Sequence, residues 1–243
     1  VSDSRLRDLE RRWKETGAAE DEAAFLLERL RVGDLTAERL ELAAHCGHPA
    51  GQLALGRPVQ PRGPVREWAT RFAELAGRSG AVRCLIALAH DLRQRLGRQR
   101  LEEDRAILFR GFGETLDAVE TWVIDPNTRT RGKVTKTHAR ARPPASILAR
   151  SSADVLLNLL GHSLQRAVQA VTTGVDADLV MLVSSGVGSA LSGERAGIED
   201  GAVWTAICDE VAPWALGLGD PVSDRQRTPR TPRDDDGNSP ARS

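Results

Sequence analysis

Tyrosine is absent from this chain, and four phenylalanines and five tryptophans supply all of its aromatic content. One common acid or base of enzyme sites is therefore missing. Cysteine is scarce: Cys46, Cys84 and Cys208 are odd in number and far apart, a poor basis for a disulfide framework or a thiolate metal cage. Reduced, mostly buried thiols are expected. Only Lys14, Lys133 and Lys136 are lysines among the 34 basic residues, which reads as an arginine-favouring coding bias rather than a function. Thirty-four acids balance those cations to a formal net charge of +0. No whole-molecule field then draws the protein to nucleic acid or to an anionic membrane, and partners must be recognised locally.

Long apolar runs are missing too. The uncharged stretch at 179–191 spans 13 residues, short of the roughly 18 to 20 that a membrane helix needs, so it reads as a buried core helix. The first residues, VSDSRLRDLERR, are charged from the start and carry no apolar leader core, and a cytoplasmic location is expected. Strand patterns do not occur: Val, Ile and Thr never alternate with polar residues over a convincing run.

What the chain does contain is helical punctuation. In residues 34–56, DLTAERLELAAHCGHPAGQLALG, Thr36 can cap a helix that places Leu40, Ala43, Ala44 and Gly47 on one face. Gly47 ends it, and Pro49 opens the next helix. Such a hairpin cannot bury its small-residue face alone and needs helical neighbours. Upstream, 4–16 carries Leu6, Leu9 and Trp13 at helical spacing, and 20–32 carries Ala23, Leu26, Leu27 and Leu30. Residues 56–63, GRPVQPRG, read as a break. Further helices follow at 64–75, closed by 77–80, then at 81–96 and at 101–124, where Gly111 and Gly113 mark a kink or a close crossing. Residues 125–144 read as the longest break and a basic loop. Helices then recur at about 155–171, 176–191 and 201–218, and the charged, proline-containing 220–243 reads as a disordered tail. The expectation is an all-α protein of about ten helices in packed antiparallel hairpins, an irregular solenoid-like array without a strict repeat. Hairpins at 1–56 and a larger helical domain at 64–219 are its expected parts.

The chemistry-bearing motifs point away from catalysis. His45-Cys46-Gly47-His48 has good zinc-ligand types, but ligands this close on a helix end cannot converge on one ion, and His48 reads as a cap at the helix carboxyl end. GVGSALSG at 186–193 follows an apolar helix rather than a strand and lacks the Lys-Ser/Thr ending of a phosphate loop, so its small residues read as close helix packing. His90-Asp91 and Glu102-Glu103 are helix neighbours that point apart, and no GxSxG elbow or HExxH is present. No catalytic residue, metal site or cofactor is expected. The five tryptophans read as core anchors.

Arg129, Arg131, Lys133, Lys136, Arg140 and Arg142 lie in a stretch without an acid between Asp125 and Asp154. They are the candidate partner-binding residues. A flexible loop with these cations could touch phosphates, but no aromatic is interleaved to stack bases. A solvated loop, or a site for an acidic protein partner, is therefore expected before nucleic acid.

At ERLELAAHCGHPAGQLALG, ETLDAVETWV and ICDEVAPWALG the chain resembles uncharacterised all-helical bacterial proteins of myxobacterial and planctomycete type. That resemblance implies helices and names no activity. On Ala118 to Trp122, within 81–170, it also resembles the helical immunity proteins of polymorphic toxin systems, which implies a toxin-neutralising role. The expected function is a non-catalytic intracellular scaffold that binds a protein, since helical arrays work through extended surfaces. The alternatives are an immunity protein, an enzyme with an unrecognised site, or nucleic-acid contact through 129–142.

Overall fold

The computed structural model describes residues 2–57, 63–141, 151–173, 178–193 and 197–227, which form eleven α-helices and no strand. The all-α expectation stands. α1 (Ser2–Thr16) and α2 (Ala19–Val32) pair across Gly17, with Trp13 stacked on Phe25 at 5.3 Å. α3 (Ala37–Cys46) starts where Thr36 accepts a hydrogen bond from the Arg39 N–H, and it ends at Gly47 with φ 99°. That left-handed conformation suits glycine and lets Pro49 begin α4 (Pro49–Ala54) two residues later. Gly51 sits where a Cβ would lie 3.2 Å from the Ala44 nitrogen, so the two helices meet backbone to backbone.

α5 (Val65–Gly97) is the axis of the fold. It packs against α6 (Glu103–Ile124), α8 (Ser152–Thr172), α9 (Leu179–Leu191), α10 (Asp200–Leu216) and α3. The expected stop at 77–80 narrows to one residue. Gly77 alone leaves helical geometry (φ 57°, ψ −162°), and the next segment resumes at once. Its second half, AVRCLIALA, is buried on all sides, which takes an apolar circumference and small residues on its neighbours. Gly186 of α9 supplies one such position, since a Cβ there would stand 2.4 Å from Leu85 Cδ2.

One apolar cluster runs from Ala23 through Leu40, Trp68, Phe72, Leu116, Leu160 and Ile207 to Val222, on both sides of 56–63. Two guanidinium groups also join the amino-terminal hairpins to α10. Arg29 donates to the Leu216 carbonyl, and Arg39 donates to the Trp214 carbonyl at 2.9 Å. Cations are favoured at a helix carboxyl end, where the last carbonyls lack partners. Trp68, Trp122 and Trp204 are buried, whereas Trp13 and Trp214 lie half-buried at the edge of the core.

Two expectations need correction. The basic loop at 125–144 is a helix, α7 (Thr128–Arg140), packed on α6. The tail expected from 220 begins with another helix, α11 (Pro221–Arg227), whose Val222 is fully buried; 228–243 lie outside the described residues.

Candidate contact helix and buried charge network

α7 forms because its ends are well made, despite a thin apolar face. Asn127 Oδ1 accepts from the Thr130 N–H at 3.0 Å, and Thr130 Oγ1 accepts from the Asn127 N–H at 3.1 Å. This reciprocal box satisfies two donors that the first helical turn leaves open. Thr130, Val134 and the following Ala141 turn inward, and Gly111 of α6 lets Ala141 approach to 3.1 Å of where a Cβ would stand. The sequence signal was the turn at Asp125-Pro126-Asn127; with so few large apolar residues after it, helical periodicity was invisible.

The helix sorts the candidate residues. Arg129, Lys133, Lys136 and Arg140 stand at i, i+4, i+7 and i+11, so at about 100° per residue they share one stripe about 60° wide and roughly 16 Å long. Arg131 projects from the opposite flank, and Arg142 lies outside the described residues. All five described cations are exposed, and none of their side chains pairs with an acid among the described residues. Elsewhere arginines are consumed by local carboxylates: Arg71 and Arg57 by Glu41, Arg31 by Glu28, Arg12 by Asp21 and Arg105 by Asp154. The exposed face of α7 carries no large apolar group.

A second constellation is buried. Glu120 of α6 accepts from Arg225 Nε at 2.8 Å and Gln226 Nε2 at 3.0 Å, and its Oε1 lies 2.7 Å from His90 Nε2. Arg225 also donates to Glu210 at 2.8 Å. Arg83 grips Asp220 with two nitrogens at 2.6 and 3.0 Å while lying over the Trp214 ring. Burial pushes the Glu120 carboxyl up, but His90 and Arg225 outweigh it and bring the pKa down to about 2. Burial likewise opposes Asp220, and Arg83 with Ser223 pulls its pKa below the usual value. The acids and bases of this network pair with one another, and the Ser223 hydroxyl donates to Asp220 at 2.9 Å. Sequence reasoning missed it, although Arg83 within AVRCLIAL and Glu120 within LDAVETWV are ionisable residues embedded in apolar helix faces.

The histidines have structural tasks. His45 stacks on Trp68, and its Nε2 lies 2.9 Å from the Trp68 carbonyl. His48 caps the start of α4, where Nδ1 accepts from the Gly51 N–H at 3.3 Å. This corrects the expected cation at a carboxyl end: burial lowers the His48 pKa, against the pull of Asp209, and favours the neutral ring that such an acceptor needs. No group of three metal-ligating side chains occurs among the described residues. His162 Nε2 lies 3.0 Å from Ser185 Oγ, half of a serine–histidine unit. Ser185 lies inside α9, however, where backbone N–H groups are committed to the helix and offer no oxyanion donors. No helix among the described residues is long and apolar enough to cross a membrane. No protein-family model, curated protein or solved structure matches the chain.

Proposed function

We infer that this protein is a non-catalytic helical scaffold of the cytoplasm that binds an acidic protein surface through α7. The observation that carries this reading is the stripe of Arg129, Lys133, Lys136 and Arg140, exposed and without counter-charges among the described residues on a helix with a defined amino-terminal cap. A rigid row of cations spaced by about 4.5 to 6 Å along the axis complements carboxylates on a second helix of the same period. Overall neutrality confines the attraction to this face. α7 carries no Phe, Trp or Tyr to stack nucleic-acid bases. Three free cysteines, two of them buried, support a reducing compartment.

Such a contact acts mainly through electrostatic steering, because no apolar anchor accompanies the charges. Binding should be fast and salt-sensitive. The test is a pull-down from native extract with the full chain and with the variant R129E/K133E/K136E/R140E, each with and without nuclease. An acidic protein captured in stoichiometric amount, retained after nuclease and lost with the charge reversal, supports the reading. Capture that is indifferent to the reversal, or that vanishes with nuclease, overturns it.

A further inference from the structure

We propose that the groove holding α11, floored by Arg83, Glu120 and Glu210, recognises an arginine-bearing helical segment of a partner protein, with α11 as its releasable intramolecular occupant. The proposal is independent of the reading of α7.

α11 has seven residues, too few for a helix to persist alone in water. It is therefore held by what it touches. Val222 enters the apolar cluster, Arg225 bridges Glu120 and Glu210, Gln226 adds a bond to Glu120, and Asp220 just before the helix is clasped by Arg83. The floor is buried: the side chains of Arg83, Glu120 and Glu210 are 3%, 1% and 4% exposed. A permanently closed helix is served at least as well by apolar side chains of similar volume, because desolvating ions offsets most of their attraction. Charges here specify instead what can sit down. The groove takes a carboxylate, an apolar residue two positions on and an arginine three positions after that, the order of Asp220, Val222 and Arg225.

Two further observations favour release. The closed network is incomplete, since Arg83 Nε, Glu210 Oε1 and Arg225 Nη2 are buried without hydrogen-bond partners among the described residues. Buried polar atoms left unpaired weaken the closed state. In addition, the link between α10 and α11 is Gly217-Leu218-Gly219-Asp220, with two glycines and Gly217 at φ 64°. A competing segment with the same three groups and a better fit to the unsatisfied atoms could displace α11 without disturbing α10.

The test uses the full chain with Val222→Asp, which removes the apolar hold on α11, and a fluorescent peptide of residues 217–227 as the probe. The expected result is at least tenfold tighter peptide binding to the variant than to the native chain, whose groove is filled, and a tenfold loss when the peptide carries Arg225→Glu. A folded variant that ignores the peptide, or binds both peptides equally, overturns the proposal. Should the variant lose its helical circular dichroism, amide exchange on the native chain decides. Exchange of 222–227 at least a hundredfold faster than the α5 and α8 amides supports release, whereas exchange only together with them overturns it.

Discussion

Glu120 and Arg225, 105 positions apart in the chain, meet at 2.8 Å, with Glu120 fully buried in α6 and Arg225 on the short α11. The buried Glu120 carboxylate needs cationic partners, and the half-buried Arg225 is one of them beside His90, so the pair ties the placement of the last helix to the ionisation of an acid in the middle of the chain. The pH at which that acid protonates thereby becomes a property of the fold.

Glu120 is held at about 2 against an ordinary 4.5. A carboxylate whose pKa is depressed on folding adds stability that is complete above the unfolded value and fades as pH falls toward the folded one. Its share is on the order of 3 kcal/mol at neutral pH, lost between about pH 4.5 and 2. Glu120→Gln should lower neutral-pH stability and flatten the acid limb of a urea-denaturation series. An acid limb as steep as that of the native chain would show that other carboxylates govern it.

His48 predicts a separate step at milder pH. Its pKa is depressed by burial, so by the same sign rule its contribution is complete above the unfolded value of about 6.5 and lost as pH falls below it. Protonation also removes the lone pair that accepts the Gly51 N–H. His48→Asn keeps a good cap without a titrating group. The native chain should lose melting temperature between pH 6.5 and 5.5, and the variant should lose less. Equal losses would place the titration elsewhere, with His162 the next group to replace because burial and Arg166 depress it similarly.

The contrast between α3 and α7 shows what was legible in the sequence. α3 announces itself through Thr36, Leu40, Ala43 and Gly47, a cap, a face and a stop within one local window, and the structure places each in that role. α7 has equally good ends, but its inward face is Thr130, Val134 and Ala141, too small to register as a stripe, so its cations read as a loop. α11 was hidden for a similar reason, with Val222 its only deeply buried side chain. The charge network was illegible on different grounds. Arg83, Glu120, Glu210 and Arg225 become neighbours only when four helices converge, and no local pattern encodes which buried acid meets which arginine. The basic stripe sits between these cases: its residues were named from composition, but their alignment needed the helix.

That alignment depends on Asn127. Replacing it with Ala removes the side-chain acceptor for the Thr130 N–H and should cost about 1 kcal/mol in overall stability, the usual effect of losing an amino-terminal cap. Fraying of the first turn should be larger than that global change and should release Arg129 from the stripe before Lys136 or Arg140. Amide exchange at residues 130–133 would report it. The charge reversals at Arg129, Lys133, Lys136 and Arg140 fall on exposed positions and should each shift stability by no more than about 0.5 kcal/mol. Circular dichroism melts that separate Asn127→Ala from the reversals therefore distinguish damage to the helix from loss of its charges.

Gly186 and Leu85 provide a test of the core itself. A Cβ at Gly186 would stand 2.4 Å from Leu85 Cδ2, and Leu85 is fully buried. Gly186→Ala should therefore destabilise by about 1 to 3 kcal/mol through overpacking, even though alanine is the better helix former by about 1 kcal/mol. Shortening the obstructing side chain removes the clash. Leu85→Ala alone opens a cavity and should cost about 2 to 5 kcal/mol, but in the double variant the new methyl fills part of that space. The two changes should then cost less together than the sum of their separate costs, with a coupling of about 1 kcal/mol or more measured by urea denaturation. Strict additivity would mean that α5 and α9 are not pressed together at this point, and that the small residues of 186–193 have a role other than close packing.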